Sequence, residues 1–443
     1  MTVETTVRAA AAAAREAGRT LAAAPPADRD RALAALAGRL RDPQVRRRLL
    51  DANRRDVEDA EREVAAGRMS EALVARLALT EAKLDGLADA VDTLAAMPDP
   101  LDRVDLRREL DEGLVLERAT VPLGVLGVVF ESRPDALVQI GALCLRSGNA
   151  VLLKGGREAA RSNAALVDEL RAALGQADLP PAAVVNLPDR AAFAALLDAS
   201  DLVDLVVARG SSAFVAHVRA STKIPVVGHA AGICHVVLYD PCPPAMAARI
   251  VEDAKCSYPA ACNAVETLLW TPGTQPALAA VIERLTSRGV RCRGCPKTRA
   301  VFAGLEAATD ADWDAEYGDL VLSIRAVADL DEALAHVARH GSGHTEAIVT
   351  DDDAAAERFL RSVDAAGVFH NASTRFADGY RYGLGAEIGI STGKLHARGP
   401  VGIEGLLSRT WRLRGRGHVA SDYGPGKRAF THCDLPADGD ERP

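Results

Sequence analysis

The chain has 443 residues, with 53 Lys and Arg against 61 Asp and Glu, and its formal charge of −8 leaves no concentrated basic surface for nucleic acid or an anionic membrane. At 48% hydrophobic and 26% charged residues it can bury several cores, and its length predicts about two to three domains. No apolar run approaches the roughly 18–20 residues that a bilayer span needs. The Ala9–Ala14 run, interrupted by Arg15 and Glu16, reads as a helix of good formers rather than a leader, and the 8 dispersed cysteines read as reduced thiols of a cytoplasmic protein.

Residues 5–97 carry Leu33, Leu36, Leu40, Leu73, Leu77, Leu84, Leu87 and Leu94 at helical spacing, which predicts an amino-terminal helical layer. Met97-Pro-Asp-Pro punctuates it, and residues 114–121 then alternate like an exposed or edge strand. From Val125 the spacing predicts strands over 125–130, 150–154, 184–187, 202–207 and 225–228, alternating with helices over 134–147, 158–174, 190–199 and 211–221. Such repetition means a parallel sheet covered on both faces, with room for a dinucleotide across its carboxyl ends. A second α/β unit follows, with strands 234–239, 265–270, near 320–325, 346–349 and 367–370 and helices 244–255, 275–288, 330–339 and 353–362. The Gly-rich region 379–405 reads as a long functional loop, and the tail after Ala429 as frayed.

Cys262, in Tyr258-Pro-Ala-Ala-Cys-Asn-Ala-Val-Glu-Thr, lies on a connection between a helix and an apolar strand. A thiol there can face a cleft, and nearby backbone donors can stabilise its thiolate. Burial statistics favour a small buried hydrophobe instead, and spacing leaves both readings open. No Gly-x-Gly-x-x-Gly follows a predicted strand and no phosphate-binding P-loop is present. Two other strand-to-helix turns stand in their place: Lys154-Gly-Gly-Arg-Glu, and Arg209-Gly-Ser-Ser, where Ser211 or Ser212 can cap the next helix. Cys292-Arg-Gly-Cys295 lacks a second ligand pair, and glycines separate His340 from His344, so no metal site is expected.

These motifs and their order resemble the aldehyde dehydrogenase superfamily. The finer matches are Val128-Val-Phe-Glu-Ser-Arg-Pro-Asp-Ala-Leu, Ile224-Pro-Val-Val-Gly-His-Ala-Ala-Gly-Ile-Cys-His, Cys262-Asn-Ala-Val-Glu-Thr, His344-Thr-Glu-Ala-Ile, Asn371-Ala-Ser-Thr-Arg-Phe and Gly383-Leu-Gly-Ala-Glu-Ile-Gly-Ile-Ser-Thr. Within the superfamily this set resembles the gamma-glutamyl phosphate reductases of proline biosynthesis.

The resemblance implies two parallel-sheet α/β domains with a small β oligomerisation arm. Residues 1–100 and 121–229 would form the helical layer and Rossmann-like cofactor domain, and 230–395 the catalytic domain. Residues 101–120 and 396–425 would form the arm and closing segment, and 430–443 a flexible tail. Residues 114–121 and 411–419 would pair as an arm lying on a neighbour in a homodimer or homotetramer. The implied reaction is NADPH-dependent reduction of L-glutamyl 5-phosphate to glutamate 5-semialdehyde, with a functional link to glutamate 5-kinase, which makes the labile substrate.

In that reading Cys262 is the nucleophile and Asn263 an oxyanion donor, while Ser132 stands where aldehyde-oxidising relatives carry an asparagine. His229 replaces their hydrolytic glutamate, whose absence fits reduction. Lys154 and Gly155 would hold the cofactor's ribose or phosphate, Gly210 and Ser211 its pyrophosphate, and Glu316 would lie near the nicotinamide ribose. Arg157 stands where relatives often carry an acidic residue, and a guanidinium there would pair with a 2′-phosphate and favour NADPH. Ser132, Arg133, Asn371, Ser373, Thr374 and Arg375 would line the substrate pocket, with Glu131 and Asp135 as partners for its ammonium group. The alternative function is an aldehyde dehydrogenase acting on another small acidic aldehyde or acyl phosphate.

Overall fold

The computed structural model describes residues 2–437 except Ser132 and Ala230. Among them, no helix is long and apolar enough to cross a membrane. Three structural units follow from the hydrophobic pattern: a helical layer with a first parallel sheet, a second parallel sheet, and a small antiparallel sheet.

The first sheet runs in the spatial order Val184–Asn186, Ala150–Lys154, Val125–Val129, Leu205–Ala208 and Val226–Val227, with every neighbouring pair parallel. The order reverses between Val125–Val129 and Leu205–Ala208. The crevice beyond their carboxyl ends is therefore a topological switch point, where open α/β sheets take ligands. The long amino-terminal helices Val3–Ala23, Pro26–Arg41 and Glu81–Ala96 share one continuous apolar core with this sheet.

The second sheet is ordered Glu306–Ala307, Arg291–Gly294, Val321–Ala326, Val265–Trp270, Cys234–Leu238, Thr345–Val349 and Gly367–His370, again all parallel. Alternate residues of Cys234–Leu238 enter different cores. Val236 and Leu238 pack on one face and Val237 on the other, as two-sided burial of a parallel sheet requires. The strand at 291–294 and its short partner at 306–307 carry no sequence signal, since Arg291-Cys-Arg-Gly is neither apolar nor β-branched.

In the antiparallel sheet, Val104–Asp111 and Leu114–Pro122 form a hairpin, and Leu407–Arg414 pairs along the outer side of the second strand, with Trp411 opposite Arg118. The two segments expected to pair do so within one chain, but through residues 407–414 rather than 411–419. The expected fraying after Ala429 is corrected: Cys433–Leu435 adds a fourth strand beside Val104–Asp111, and Arg108 pairs with Asp434 at 2.6 Å. Three hydrogen-bonded residues with few apolar groups are too short to read from sequence. Inside the Gly-rich loop, Gly389–Ser391 and Gly399–Val401 form an antiparallel ribbon.

Buried Asn53 ties the helical layer to the first domain. Its Nδ2 donates to the Leu77 carbonyl at 2.9 Å and to Ser162 Oγ at 3.1 Å, and its Oδ1 accepts from the Leu79 N–H at 2.7 Å. This knot fixes the chain between the helices Glu71–Leu77 and Glu81–Ala96, which carry Arg76 and Lys83 to the cleft between the sheets. Asn53→Ala should lower unfolding free energy by about 2–4 kcal/mol, because buried backbone groups at 77 and 79 lose their partners. Urea denaturation with an unchanged m-value would show it.

Candidate active site

The amino ends of the second sheet face the carboxyl ends of the first. Cys262 lies three residues before the strand Val265–Trp270, and His344 one residue before Thr345–Val349, so two parallel strands flanking Cys234–Leu238 bring both to the same edge. His344 Nε2 is 3.2 Å from Cys262 Sγ, and its Nδ1 is 2.8 Å from Thr345 Oγ1. Burial pushes the Cys262 thiol up to about 12, with Glu316 and Glu387 adding to the shift. Burial, aided by His229, pushes His344 down to about 3. The resting pair is therefore a neutral thiol against a neutral imidazole, poised for proton transfer rather than held as an ion pair.

The loop around the thiol is fixed by close packing. A Cβ on Gly232 would fall 2.2 Å from the Cys262 carbonyl oxygen and 2.6 Å from its Cα, so only glycine lets the linker between the sheets pass here. Cys234 Sγ lies 3.4 Å from the same carbonyl. Asn263 Nδ2 donates to the Ala377 carbonyl at 2.9 Å, so this buried side chain anchors the cysteine loop to the closing segment.

A cavity of about 680 Å³ opens onto Cys262. It joins the switch-point residues Phe130, Glu131, Arg209 and Gly210 to Cys262, Asn263 and His229. The half-buried imidazole of His229 is bonded to the Ile390 backbone, stands edge-on to His344 with centroids 5.6 Å apart, and is shifted below its ordinary range by burial. Positive groups on the wall are Arg76, Lys83, Arg133, Arg209 and Arg375, and negative ones are Glu131, Asp135, Glu316, Asp378 and Glu387. Arg133 meets Asp135 at 3.3 Å, and Arg375 Nε donates to Ser257 Oγ at 3.1 Å. Burial shifts the Glu387 carboxyl up against the opposing pull of Arg209, and Gly379 N–H donates to it at 2.9 Å.

Of the residues singled out in the sequence, Cys262, Asn263, His229, Gly210, Ser211, Glu316, Arg133 and Arg375 meet on this cavity. Lys154, Gly155 and Arg157 lie along the same sheet edge, where the Phe130 N–H donates to the Lys154 carbonyl at 3.1 Å. Ser132 lies outside the described residues. Asn371, Ser373 and Thr374 are elsewhere, which corrects their expected place in the pocket. Asn371 follows the carboxyl end of Gly367–His370, the edge opposite Cys262, and its carboxamide is bound to the Thr350 N–H and carbonyl at 3.0 and 2.9 Å. Asn371 and Ser373 line a different cavity, and Thr374 is fully buried.

No protein-family model matches the chain. It is 52% identical over 424 residues to a gamma-glutamyl phosphate reductase of Synechococcus sp. (strain JA-3-3Ab), covering 95% of this chain and 93% of that protein. It is also 50% identical over 401 residues to one of Natronomonas pharaonis, covering 90% and 91%. The crystal structure of gamma-glutamyl phosphate reductase from Thermotoga maritima superposes with a TM-score of 0.89 at 36% identity, covering 93% of this chain and 99% of that one. The chain belongs to the gamma-glutamyl phosphate reductase family. An acetylating aldehyde dehydrogenase from Geobacillus thermoglucosidasius, at a TM-score of 0.65 and 16% identity over 94% and 98% of the two chains, shares the fold.

Membership in this family places an α/β aldehyde dehydrogenase-like fold around the cavity just described. Sequence reading missed His344, Arg76, Lys83, Arg209 and Glu387 as cavity or thiol neighbours. His344 and Glu387 were inside quoted motifs, but only the parallel pairing of 345–349 with 234–238, and of 234–238 with 265–270, brings His344 to the thiol across 82 residues.

The neutral pair predicts that iodoacetamide labelling of Cys262 in the ligand-free protein rises about tenfold per pH unit from pH 7 to 10, as the small thiolate fraction grows toward a pKa near 12. His344 stays neutral throughout that range, so no inflection should appear near pH 6–7. A rate already level below pH 8 would show a resting thiolate.

Proposed function

We propose that the chain reduces L-glutamyl 5-phosphate to L-glutamate 5-semialdehyde with NADPH, releasing phosphate through a thioester on Cys262. The observation that carries this reading is the Cys262 thiol 3.2 Å from a neutral His344, on the wall of a cavity bearing both signs of charge. Such a substrate brings a phosphate and an α-carboxylate for the arginines and Lys83, and an ammonium for the carboxylates. Uptake of the substrate excludes water and strengthens these contacts.

As sulfur attacks the acyl carbon, its proton passes to His344 Nε2 and the C–O bond to phosphate breaks. The imidazolium then returns that proton to the departing phosphate. The Asn263 N–H faces the oxyanion of the tetrahedral stage. A nicotinamide bound beside the sulfur supplies the hydride that reduces the thioester. Collapse of the resulting hemithioacetal alkoxide releases the aldehyde and the Cys262 thiolate, which takes a proton from solvent through His344 to restore the thiol. His229 stands where aldehyde-oxidising relatives carry a hydrolytic glutamate, and burial shifts its imidazole below its ordinary range.

The chain's own residues fit a dinucleotide. Ser211 Oγ caps the helix Ser212–Ala220, whose free N–H groups open on Gly210, and Lys154 ends the strand Ala150–Lys154 of the same sheet, its ammonium shifted down by burial. Arg157 is exposed at the start of the next helical turn, placed for a 2′-phosphate. An engineered glycolyl-CoA reductase of the same fold, at a TM-score of 0.64 and 15% identity over 92% and 96% of the chains, holds bound NADP+. The small antiparallel sheet, whose edge strand exposes Trp411 and Leu413, is read as the arm through which two or four copies associate in the cytoplasm.

In the reverse direction, glutamate 5-semialdehyde, phosphate and NADP should give phosphate-dependent cofactor reduction that falls by about three orders of magnitude or more in Cys262→Ser. Equal turnover without phosphate would support instead an aldehyde dehydrogenase of another small acidic aldehyde. Arg157→Glu should raise the KM for NADPH at least about tenfold while changing that for NADH little, since it replaces a charge-assisted pair with repulsion. Equal losses with both cofactors would remove Arg157 from the 2′-phosphate.

A further inference from the structure

A buried ion pair lies behind the catalytic loop. Lys255 ends the helix Pro244–Cys256, Glu266 opens the strand Val265–Trp270, and Nζ to Oε2 is 2.7 Å with both side chains essentially inaccessible. Two charges withdrawn from water are costly, and apolar residues of equal volume would stabilise the fold as well or better. The second carboxylate oxygen is also engaged: Glu266 Oε1 accepts the Gly318 N–H at 3.3 Å.

Gly318 sits at φ +60, the left-handed turn that ends the segment carrying Glu316. Between Glu316 and Gly318 in the chain, Tyr317 is held by its hydroxyl, 2.6 Å from Asp312 Oδ1 and 2.7 Å from Ser323 Oγ. Glu316 itself is exposed into the Cys262 cavity, and it is the leading charge acting on the Cys262 thiol.

We infer that Lys255 and Glu266 are positioning residues, which hold the Gly318 N–H and thereby set the Glu316 carboxylate relative to the Cys262 sulfur and the cofactor. Lys255, at 2.7 Å, pulls Glu266 toward its ionised form. Burial nevertheless lifts that carboxyl to about 7, and the neighbouring Glu316 adds to the shift. An ionised acceptor holds a backbone N–H more firmly than a protonated one. The cofactor arm of the inference rests on the reading that Glu316 reaches the nicotinamide ribose, whereas the sulfur arm does not.

The test compares two double variants in the full-length chain that remove both buried charges and differ only in the acceptor. K255M/E266Q retains an oxygen for Gly318, and K255M/E266L removes it. Relative to K255M/E266Q, K255M/E266L should raise the KM for NADPH about tenfold with a smaller change in kcat, the scale expected of a displaced contact group. In the ligand-free protein it should also label Cys262 faster with iodoacetamide, because a displaced Glu316 no longer raises the thiol. Equal KM values and equal labelling rates in two variants of equal melting temperature would overturn the inference. If K255M/E266L does not fold, K255M/E266N, polar but one methylene too short for Gly318, makes the same comparison. E316Q separates the readings: an unchanged KM for NADPH there would remove Glu316 from the ribose, and the labelling arm would then decide the positioning claim alone.

Discussion

A sulfhydryl and an imidazole held 3.2 Å apart out of water are the interaction around which the molecule is arranged. Neither group carries charge at rest, since burial raises the one and lowers the other. A low-dielectric setting that forbids a resting ion pair makes sulfur ionise only when an electrophile accepts its electrons, which matches a reaction that must spare the thiol between turnovers. That setting depends on close backbone approach. Gly232 grazing the Cys262 backbone and Asn263 anchored to Ala377 fix the backbone of the loop.

Two parallel sheets with opposed edges produce the cleft. Ligands of the first sheet belong at its carboxyl edge, where the strand order reverses, and the Cys262 thiol sits at the amino edge of the second. The linker that carries His229 and Gly232 joins Val226–Val227 of the first sheet to Cys234–Leu238 of the second, and Gly232 packs on the Cys262 backbone along it. The helical layer, knotted by Asn53, then overhangs the crevice with Arg76 and Lys83. The charge on the cavity wall thus comes from the helical layer, both sheets and the closing segment, a distribution suited to a small zwitterion with an added phosphate.

Much of the scaffold was legible because its signals are local. Alternating apolar strands such as 150–154 and 265–270, and helices such as 353–362, have boundaries set by periodicity and capping, as with Asp352 accepting from the N–H groups of Ala354 and Ala355. Cys262 was legible through its flanking motif and its place on a connection. What eluded a linear reading depends on partners distant in the chain. The strand at 433–435 exists only because the hairpin edge at 107–109 is open to it. Asn371 looks like a pocket residue until the strand before it is seen to run away from the thiol.

Sequence by itself determined the α/β class, the β-α order of both sheets and the family motifs, and it singled out Cys262 as the candidate nucleophile, because each is written in residue type and spacing over fewer than about twenty positions. Only the tertiary structure decided that His344 faces the sulfur, that Asn371, Ser373 and Thr374 lie off the cavity, and that Lys255 and Glu266 stand behind Glu316. Those relations are set by strand order and register in a parallel sheet, where neighbours in space are separated by whole crossover connections, and by burial, which assigns protonation only after the chain has closed around each group.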